Sequence, residues 1–232
     1  MRLRRKVPRI HREGRNIIVG LTFAIFVLNV LTFIYLPKLH WLFAVTLILS
    51  ATMLVFVTYF FRNPIRILEV TDPNFIIAPA DGRVVVVEPT KENEYFHDER
   101  IQVSIFMSPF NVHANWYPIE GNILVSTHQK GRHQGAWLPK SSTENERSLV
   151  VIETPNRVQI AVRQIAGAMA RRIVTYAKAG KQSHRNEHLG FIKLGSRVDL
   201  YLPIGTEIFV EIGESVRGNE TIIGRLSETT KA

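Results

Sequence analysis

Two stretches of this chain carry no Asp, Glu, Lys or Arg at all: IIVGLTFAIFVLNVLTFIYL at 17–36 and WLFAVTLILSATMLVFVTYFF at 41–61. Each has about the twenty residues that a helix needs to cross the hydrocarbon core of a bilayer. A cleaved signal peptide has a shorter apolar core and a small-residue cleavage site, and the first stretch shows neither. The connector Pro37-Lys38-Leu39-His40 is short, so the two spans are expected to form a hairpin. Charge orients it. Residues 1–15 hold seven Arg and Lys against one Glu, so most of the chain's net charge of +9 precedes the first span. Arg62 and Arg66 follow the second span, while the connector offers Lys38 alone. The positive-inside rule then places the N-terminus and everything after residue 62 on the cytoplasmic side of the cell membrane. There the basic tail can meet anionic headgroups. Spans that begin directly after the tail argue against nucleic acid as its partner. Cysteine is absent, which excludes disulfides, thiol nucleophiles and cysteine metal sites.

The 232 residues leave room for one ordinary domain behind the hairpin. From about residue 70 the pattern is strand-like. IIAPADGRVVVVEP carries a turn signal at Asp81-Gly82 between apolar runs and predicts a hairpin. RIQVSIFMSP, GNILVSTHQ, SLVVIETP and RVQIAVRQIAG follow, separated by Pro, Gly and Asn. Ala166–Lys178 predicts a helix, with Met169, Ile173 and Ala177 on one face and Gly180 as its C-cap. In FIKLGSRVDLYLP, Val198, Leu200 and Leu202 alternate with Asp199 and Tyr201, as a strand would, with Gly195-Ser196 set inside the run. The expected fold is mainly β, a sandwich or partly open barrel with a short helix, behind a two-helix transmembrane hairpin. The expected organisation is a basic cytoplasmic tail at 1–15, the hairpin at 16–61 and a cytoplasmic catalytic domain at 62–232.

Three polar residues are candidates for chemistry: Asp81 in PADGR, His113 in MSPFNVHANWYP and Ser196 in LGSRVD. Each has an ordinary reading as well. Asp before Gly is usually a turn residue, a single His is more often structural, and Gly-Ser is a common dipeptide. Together they have the composition of orienter, base and nucleophile. A hydrolase would present its serine on an exposed elbow of the G-x-S-x-G kind, and Ser196 lies in apparent strand instead. A serine so placed suits attack on the peptide bond beside it. Ser196 Oγ would attack the Gly195 carbonyl, with His113 held by Asp81 taking the hydroxyl proton. Glycine, without a Cβ, can adopt the strained backbone that such an attack requires. β-Elimination of the resulting ester leaves dehydroalanine, which hydrolyses to a pyruvoyl group.

PADGRV, FMSPFNVHANWYPIEG, KSSTENERS, RQIAGAMARRI and GFIKLGSRVDLYLP, in this order behind a membrane hairpin, resemble the phosphatidylserine decarboxylases, above all their short membrane-anchored prokaryotic type. The resemblance covers about residues 60–226. It implies a proenzyme that cuts itself between Gly195 and Ser196 into a β chain, 1–195, and an α chain, 196–232, which stay associated. It implies a covalent pyruvoyl cofactor made from Ser196, with no metal. The ketone would form a Schiff base with the serine amine of phosphatidylserine in the membrane, carbon dioxide would leave, and phosphatidylethanolamine would be released. His113 is then the candidate acid for the protonation, oriented by Asp81. Ser141, Ser142, Asn145 and Glu146, with Arg171 and Arg172, are candidate headgroup contacts; a polar loop and a solvated helix face are the ordinary readings. A homo-oligomer is left open.

The pattern also departs from that family. Long forms have Gly-Ser-Thr at the cut, where Arg197 follows the serine here. They carry a second histidine three residues after the first, where Trp116 stands here. His184 and His188 are either exposed or assist. Two other readings fit parts of the chain. One is a membrane-anchored serine hydrolase using Ser196, His113 and Asp81. The other is a non-enzymatic barrel-sandwich adaptor, suggested by APADGRVVVVEP and VEIGESVRGNETIIG, although Asn219-Glu220 occupies the tip where a carrier needs lysine.

Overall fold

The computed structural model describes residues 2–131, 145–167, 172–193 and 196–227, with side chains from residue 9 onward. It divides into two compact units, Val7–Pro64 and a larger one from Ile65 onward that also takes in residues up to Lys6. Strand β1 (Arg2–Ile10) precedes helices α1 (Arg12–Tyr35) and α2 (His40–Phe60), the two apolar runs of the sequence. The helices pack on each other through Phe33 against Phe43, with ring centroids 5.6 Å apart, and through Asn29 Nδ2 donating to Ser50 Oγ at 3.0 Å. Gly14 is required where it stands, because a Cβ there would lie 2.3 Å from the Phe61 ring. Phe23, Phe26, Ile48 and Val55 are among many large apolar side chains left exposed on the pair. Both helices are long and apolar enough to cross a membrane.

The larger unit is built of strands. They run β2 (Arg62–Glu69), β3 (Phe75–Ile77), β4 (Gly82–Lys91), β5 (Glu99–Met107), β6 (Ala114–Trp116), β7 (Gly121–Gln129), β8 (Arg147–Glu153), β9 (Gln159–Ala166), β10 (Arg172–Thr175), β11 (Gln182–Ser183), β12 (His188–Lys193), β13 (Ser196–Pro203), β14 (Glu207–Ile208), β15 (Ser215–Val216) and β16 (Ile222–Arg225). Eight of them form one curved half-barrel sheet in the order β11-β7-β8-β9-β13-β5-β4-β15. A three-stranded sheet β10-β12-β6 and another, β14-β16-β3, complete the unit, while β1 and β2 pair with each other. Alternation sorts the large sheet's side chains. Val103, Ile105, Val150, Ile152, Ile160, Val162, Val198 and Leu200 meet Ile173 and Ile192 of the small sheet in the main core. The fold is mainly β, as the sequence predicts.

Three local expectations are corrected. The helix over Ala166–Lys178 is absent from its described part. Ala166 ends β9, Arg172–Thr175 is strand β10, and 168–171 lie outside the described residues. The i, i+4 pattern is real, but Ile173-Val174-Thr175 is a β-branched run, and the edge of β12 supplies a partner with Arg172 opposite Lys193. Asp81-Gly82 does not close a hairpin. β3 pairs with β16 and β4 with β5, so the turn passes the chain from one sheet to another. Likewise, FIKLGSRVDLYLP is two strands: β12 ends at Lys193 in the three-stranded sheet and β13 starts at Ser196 in the eight-stranded one. Leu194 and Gly195 between them lie outside the described residues.

Candidate active site

Ser196 opens β13, the strand that sits between β5 and β9. It faces Met107 on one side and Ala166 on the other. The strand is buried along its whole length, and Ser196 itself has no exposed surface. Its Oγ donates to Met107 Sδ at 3.2 Å. A thioether is a weak acceptor, so the hydroxyl is held loosely for so buried a group. No hydrogen bond joins it to His113 or Asp81 among the described residues.

His113 precedes β6 and is fully buried. Its backbone carbonyl accepts from Ile192 N at 3.2 Å, and its ring lies 6.4 Å from that of Phe191. Both partners belong to β12, which feeds the Gly195-Ser196 junction. The turn before it is fixed by Asn111, whose Oδ1 accepts from Ser108 N at 2.9 Å and Ser108 Oγ at 2.7 Å. His113 Nδ1 lies 3.0 Å from the Asn111 carbonyl oxygen. A carbonyl only accepts, so Nδ1 carries the proton and Nε2 carries the lone pair of the neutral ring.

Asp81 is buried, and its carboxylate belongs to Arg66. Arg66 reaches both carboxylate oxygens, with Nη2 donating to Oδ2 at 3.0 Å and Nη1 to Oδ1. Gly218 N donates to Oδ1 at 2.8 Å, and Arg66 Nε meets Glu220 at 3.1 Å. Arg66, counted in the sequence as an interfacial charge, is therefore inside the domain. Trp116 lies against this cluster, its ring centroid 5.2 Å from the Arg66 guanidinium and 5.3 Å from the His188 ring. A Cβ on Gly218 would come within 2.6 Å of that indole, so only glycine fits there. Trp116 N donates to Pro79 O at 2.9 Å. The PADG segment thus grips the strand that His113 leads into, while Asp81 makes no direct hydrogen bond to the histidine ring. Asn219 is fully buried in the left-handed region at φ 56°, with Nδ2 bound to Arg66 O and Asn186 Oδ1. It is no carrier tip.

Of the predicted headgroup contacts, Ser141, Ser142 and Arg171 lie outside the described residues, as does Gly195. Asn145 and Glu146 are beside Ser196's neighbour in the sheet. Asn145 Nδ2 donates to Ala166 O at 2.7 Å, and Glu146 O accepts from Ala166 N at 2.9 Å. Glu146 Oε1 lies 3.2 Å from His128 Nε2 and 3.3 Å from Ile173 N. Arg172 is exposed at the start of β10. His184 is exposed, and His188 packs on Trp116. Among the described residues, no group of three or more His, Asp or Glu could hold a metal ion.

The far face of β13 carries a separate polar layer. Arg197 pairs with Asp199 through contacts of 2.8 and 3.0 Å, and both are buried. Nearby, Arg163 Nη2 donates to Glu92 Oε1 at 2.6 Å. A pocket of about 640 Å³ opens here, lined in part by Arg163, Arg197, Tyr201 and Glu92. It is on the opposite face of the strand from Ser196. Burial alone would raise the Glu92 pKa, but N–H groups of Phe96, Tyr95 and Glu94, with Arg163, outweigh burial and hold it below the ordinary 4.5. A depressed carboxylate contributes stability that is present above its unfolded pKa and lost as pH falls through the folded one. Glu92→Gln, unable to accept from all these donors, is expected to destabilise the protein at neutral pH by about 2 kcal/mol. The deficit should shrink below the carboxylate range, as read from urea unfolding across pH. A deficit independent of pH would contradict this account.

A family model for phosphatidylserine decarboxylase matches residues 53–224. A curated protein of Bacteroides fragilis called phosphatidylserine decarboxylase proenzyme is 52% identical over 227 residues, covering 95% of this chain and 96% of its own. Proteins of the same name from Bacteroides thetaiotaomicron and Parabacteroides distasonis are each 49% identical, covering 95% of this chain and 96% and 100% of their own lengths. The chain belongs to the phosphatidylserine decarboxylase family, and it is an enzyme of that family.

Proposed function

We propose that this protein decarboxylates phosphatidylserine to phosphatidylethanolamine at the cell membrane, using a pyruvoyl group that the precursor makes from Ser196 by cutting its own chain after Gly195. The observation that carries this reading is the complete burial of Ser196 at the first position of a central strand. In the uncut chain a serine enclosed in this way is out of reach of an external ester, which disfavours the hydrolase; a headgroup amine reaches residue 196 only after the cut has freed the end of β13. The carbonyl within its covalent reach is that of the residue before it.

His113 Nε2 takes the hydroxyl proton, and Oγ bonds to the Gly195 carbonyl carbon. The Gly195–Ser196 C–N bond then breaks with a proton delivered to nitrogen, giving an ester. Loss of the Ser196 Cα proton breaks Cβ–Oγ, and the electron pair leaves on the Gly195 carboxylate. Water displaces the nitrogen of the resulting dehydroalanine as ammonia, leaving a ketone at Cα. The new α chain stays in place because β13 is hydrogen-bonded to β5 and β9 of the β chain.

Residue 196 suits such a group, being buried at a fixed strand end where the atom that departs has, among the described residues, a thioether as its hydrogen-bond acceptor. A pyruvoyl carbonyl supplies an electrophile for the headgroup amine and an electron sink for the carboxylate, as PLP does elsewhere. His113, once protonated, is placed beside β12 to return a proton to the carbon that loses carbon dioxide. Asp81 acts as a positioning residue: with Arg66 it fixes the PADG segment that holds Trp116 N. Glu146 and Arg172, with Ser141, Ser142 and Arg171, are the proposed headgroup contacts, and Asn145 braces β9. The two exposed apolar helices would anchor the domain on the cytoplasmic face, where the basic tail meets anionic lipid and the tether raises the local concentration of substrate.

The test is the intact mass of detergent-solubilised protein under denaturing conditions, with conversion of phosphatidylserine in mixed micelles. Two chains, 1–195 and 196–232, are expected, the smaller lacking an N-terminal α-amine and reacting with a carbonyl reagent. An active protein with a single uncut chain of 26.5 kDa would overturn the reading.

A further inference from the structure

Behind Ser196 lies a chain of buried amides with a defined direction. Gln164, on β9, has no exposed surface, and neither has Asn115, on β6. Gln164 Oε1 accepts from Ser148 Oγ at 2.7 Å and from Thr175 Oγ1 at 2.8 Å. Gln164 Nε2 donates to Asn115 Oδ1 at 2.7 Å. Asn115 Nδ2 therefore points onward, to Met107 Sδ at 3.7 Å. That sulfur is also the acceptor of the Ser196 hydroxyl, at 3.2 Å. The reverse orientation would set the Asn115 carbonyl oxygen against the lone pairs of the thioether, so the order of donors and acceptors follows from the chemistry of the groups. Space is fixed as well: a Cβ on Gly190 would come within 2.7 Å of Gln164 Nε2.

The result is a desolvated amide donor on a weak acceptor, the sulfur it shares with the oxygen that must change its charge. Before reaction Ser196 Oγ is a donor and needs no N–H. Once its proton is removed it can only accept, and as a departing carboxylate oxygen it accepts strongly. A buried donor held on the same sulfur is preorganised to answer that change.

We propose that Asn115 is the hydrogen-bond donor to Ser196 Oγ during self-processing and that Gln164 is the positioning residue that aims it, an inference that rests on the self-cleavage reading above. Gln164→Glu separates this from a structural role. An ionised Glu only accepts, so Asn115 must turn its NH2 toward residue 164 and present its oxygen to the serine. A protonated Glu has the donor and acceptor pattern of Gln and restores the relay. The side chains facing residue 164 from β8, β10 and β6 are Ser148, Thr175 and Asn115, with Gly190 on β12, and none of these titrates. Burial raises the pKa of the new carboxyl.

The experiment purifies full-length Gln164→Glu uncut at about pH 8.5, shifts it to about pH 6 and follows appearance of the two chains by mass, since a buried carboxyl takes its proton in that interval. Cleavage at least about 100-fold slower than the parent protein is expected at the higher pH, the cost of losing one preorganised donor. Recovery to within about tenfold of the parent at the lower pH is expected once the Glu is protonated. Parent-like cleavage at both values overturns the proposal. So does a folded variant that stays uncut at both. Asn115→Ala supplies a second reading: it should cut about 100-fold more slowly at every pH. Cleavage of that variant at the parent rate refutes the role whatever Gln164→Glu does. A parent chain that never cuts would instead refute the self-cleavage reading itself.

Discussion

Ser196→Ala is expected to give a folded, uncut chain of 26.5 kDa with no decarboxylation of phosphatidylserine. The hydroxyl's bond is to a thioether, and its methylene remains in a core of matching shape. The substitution should therefore change unfolding stability by less than about 1 kcal/mol. The loss of activity should be complete, because the substituted side chain supplies neither the nucleophile for the cut nor the atoms of the electron sink. The pairing of low thermodynamic cost with total loss makes the variant informative. Denaturing mass and unfolding in detergent read the first half, and conversion of phosphatidylserine reads the second. Activity in an uncut Ser196→Ala chain would remove the pyruvoyl mechanism.

Arg66→Met is expected to have the largest effect on stability, about 3–5 kcal/mol when measured in the uncut Ser196→Ala background. Arg66 and Asp81 are both nearly excluded from solvent, with side chains 8% and 10% exposed. Removing the guanidinium leaves the Asp81 carboxylate with the Gly218 N–H and takes the nearer of two arginines from Glu220, with Arg217 remaining at 3.7 Å. The stem of methionine retains packing beside Trp116, so the cost is electrostatic rather than a cavity. Adding Asp81→Leu should recover part of the loss, because the orphaned charge goes with it. In a parent background Arg66→Met should also slow self-cleavage through the loosened PADG segment. A loss below about 1 kcal/mol would mean that the pair behaves as an exposed salt bridge and does not organise the site.

What could be read in the sequence follows the range of each interaction. The two helices form where uncharged runs of sufficient length demand them. The strands at 99–107, 121–129, 147–153 and 159–166 follow their alternation. Failures occur where a partner distant in sequence decides. Ile173 and Ala177 have helical spacing and both are buried, yet the free edge of β12 draws Arg172–Thr175 into a sheet. Asp81-Gly82 has the residues of a hairpin turn, but Asp81 is taken up by Arg66, fifteen positions earlier, and by Gly218. Arg66 has no local mark that separates it from Arg62 as a membrane-flanking cation.

The candidate site divides in the same way. Ser196, His113 and Asp81 could be named because chemistry restricts which residue types can act, and ordered motifs behind a hairpin gave the family. Asn115, Gln164 and Met107 carry no such signal, since a buried amide and an exposed one look alike in sequence. Their arrangement arises because β6, β9 and β5 are brought around the first residue of β13. Sequence by itself determined the apolar spans, the β class and the family, and singled out the candidate serine, since these rest on composition, periodicity and residue chemistry along the chain. Tertiary structure alone decided that Ser196 is enclosed at a junction of two sheets, that Asp81 answers to Arg66, and that a buried amide and the serine hydroxyl share the Met107 sulfur. Those depend on desolvation and on contacts between strands far apart in sequence, which no local pattern encodes.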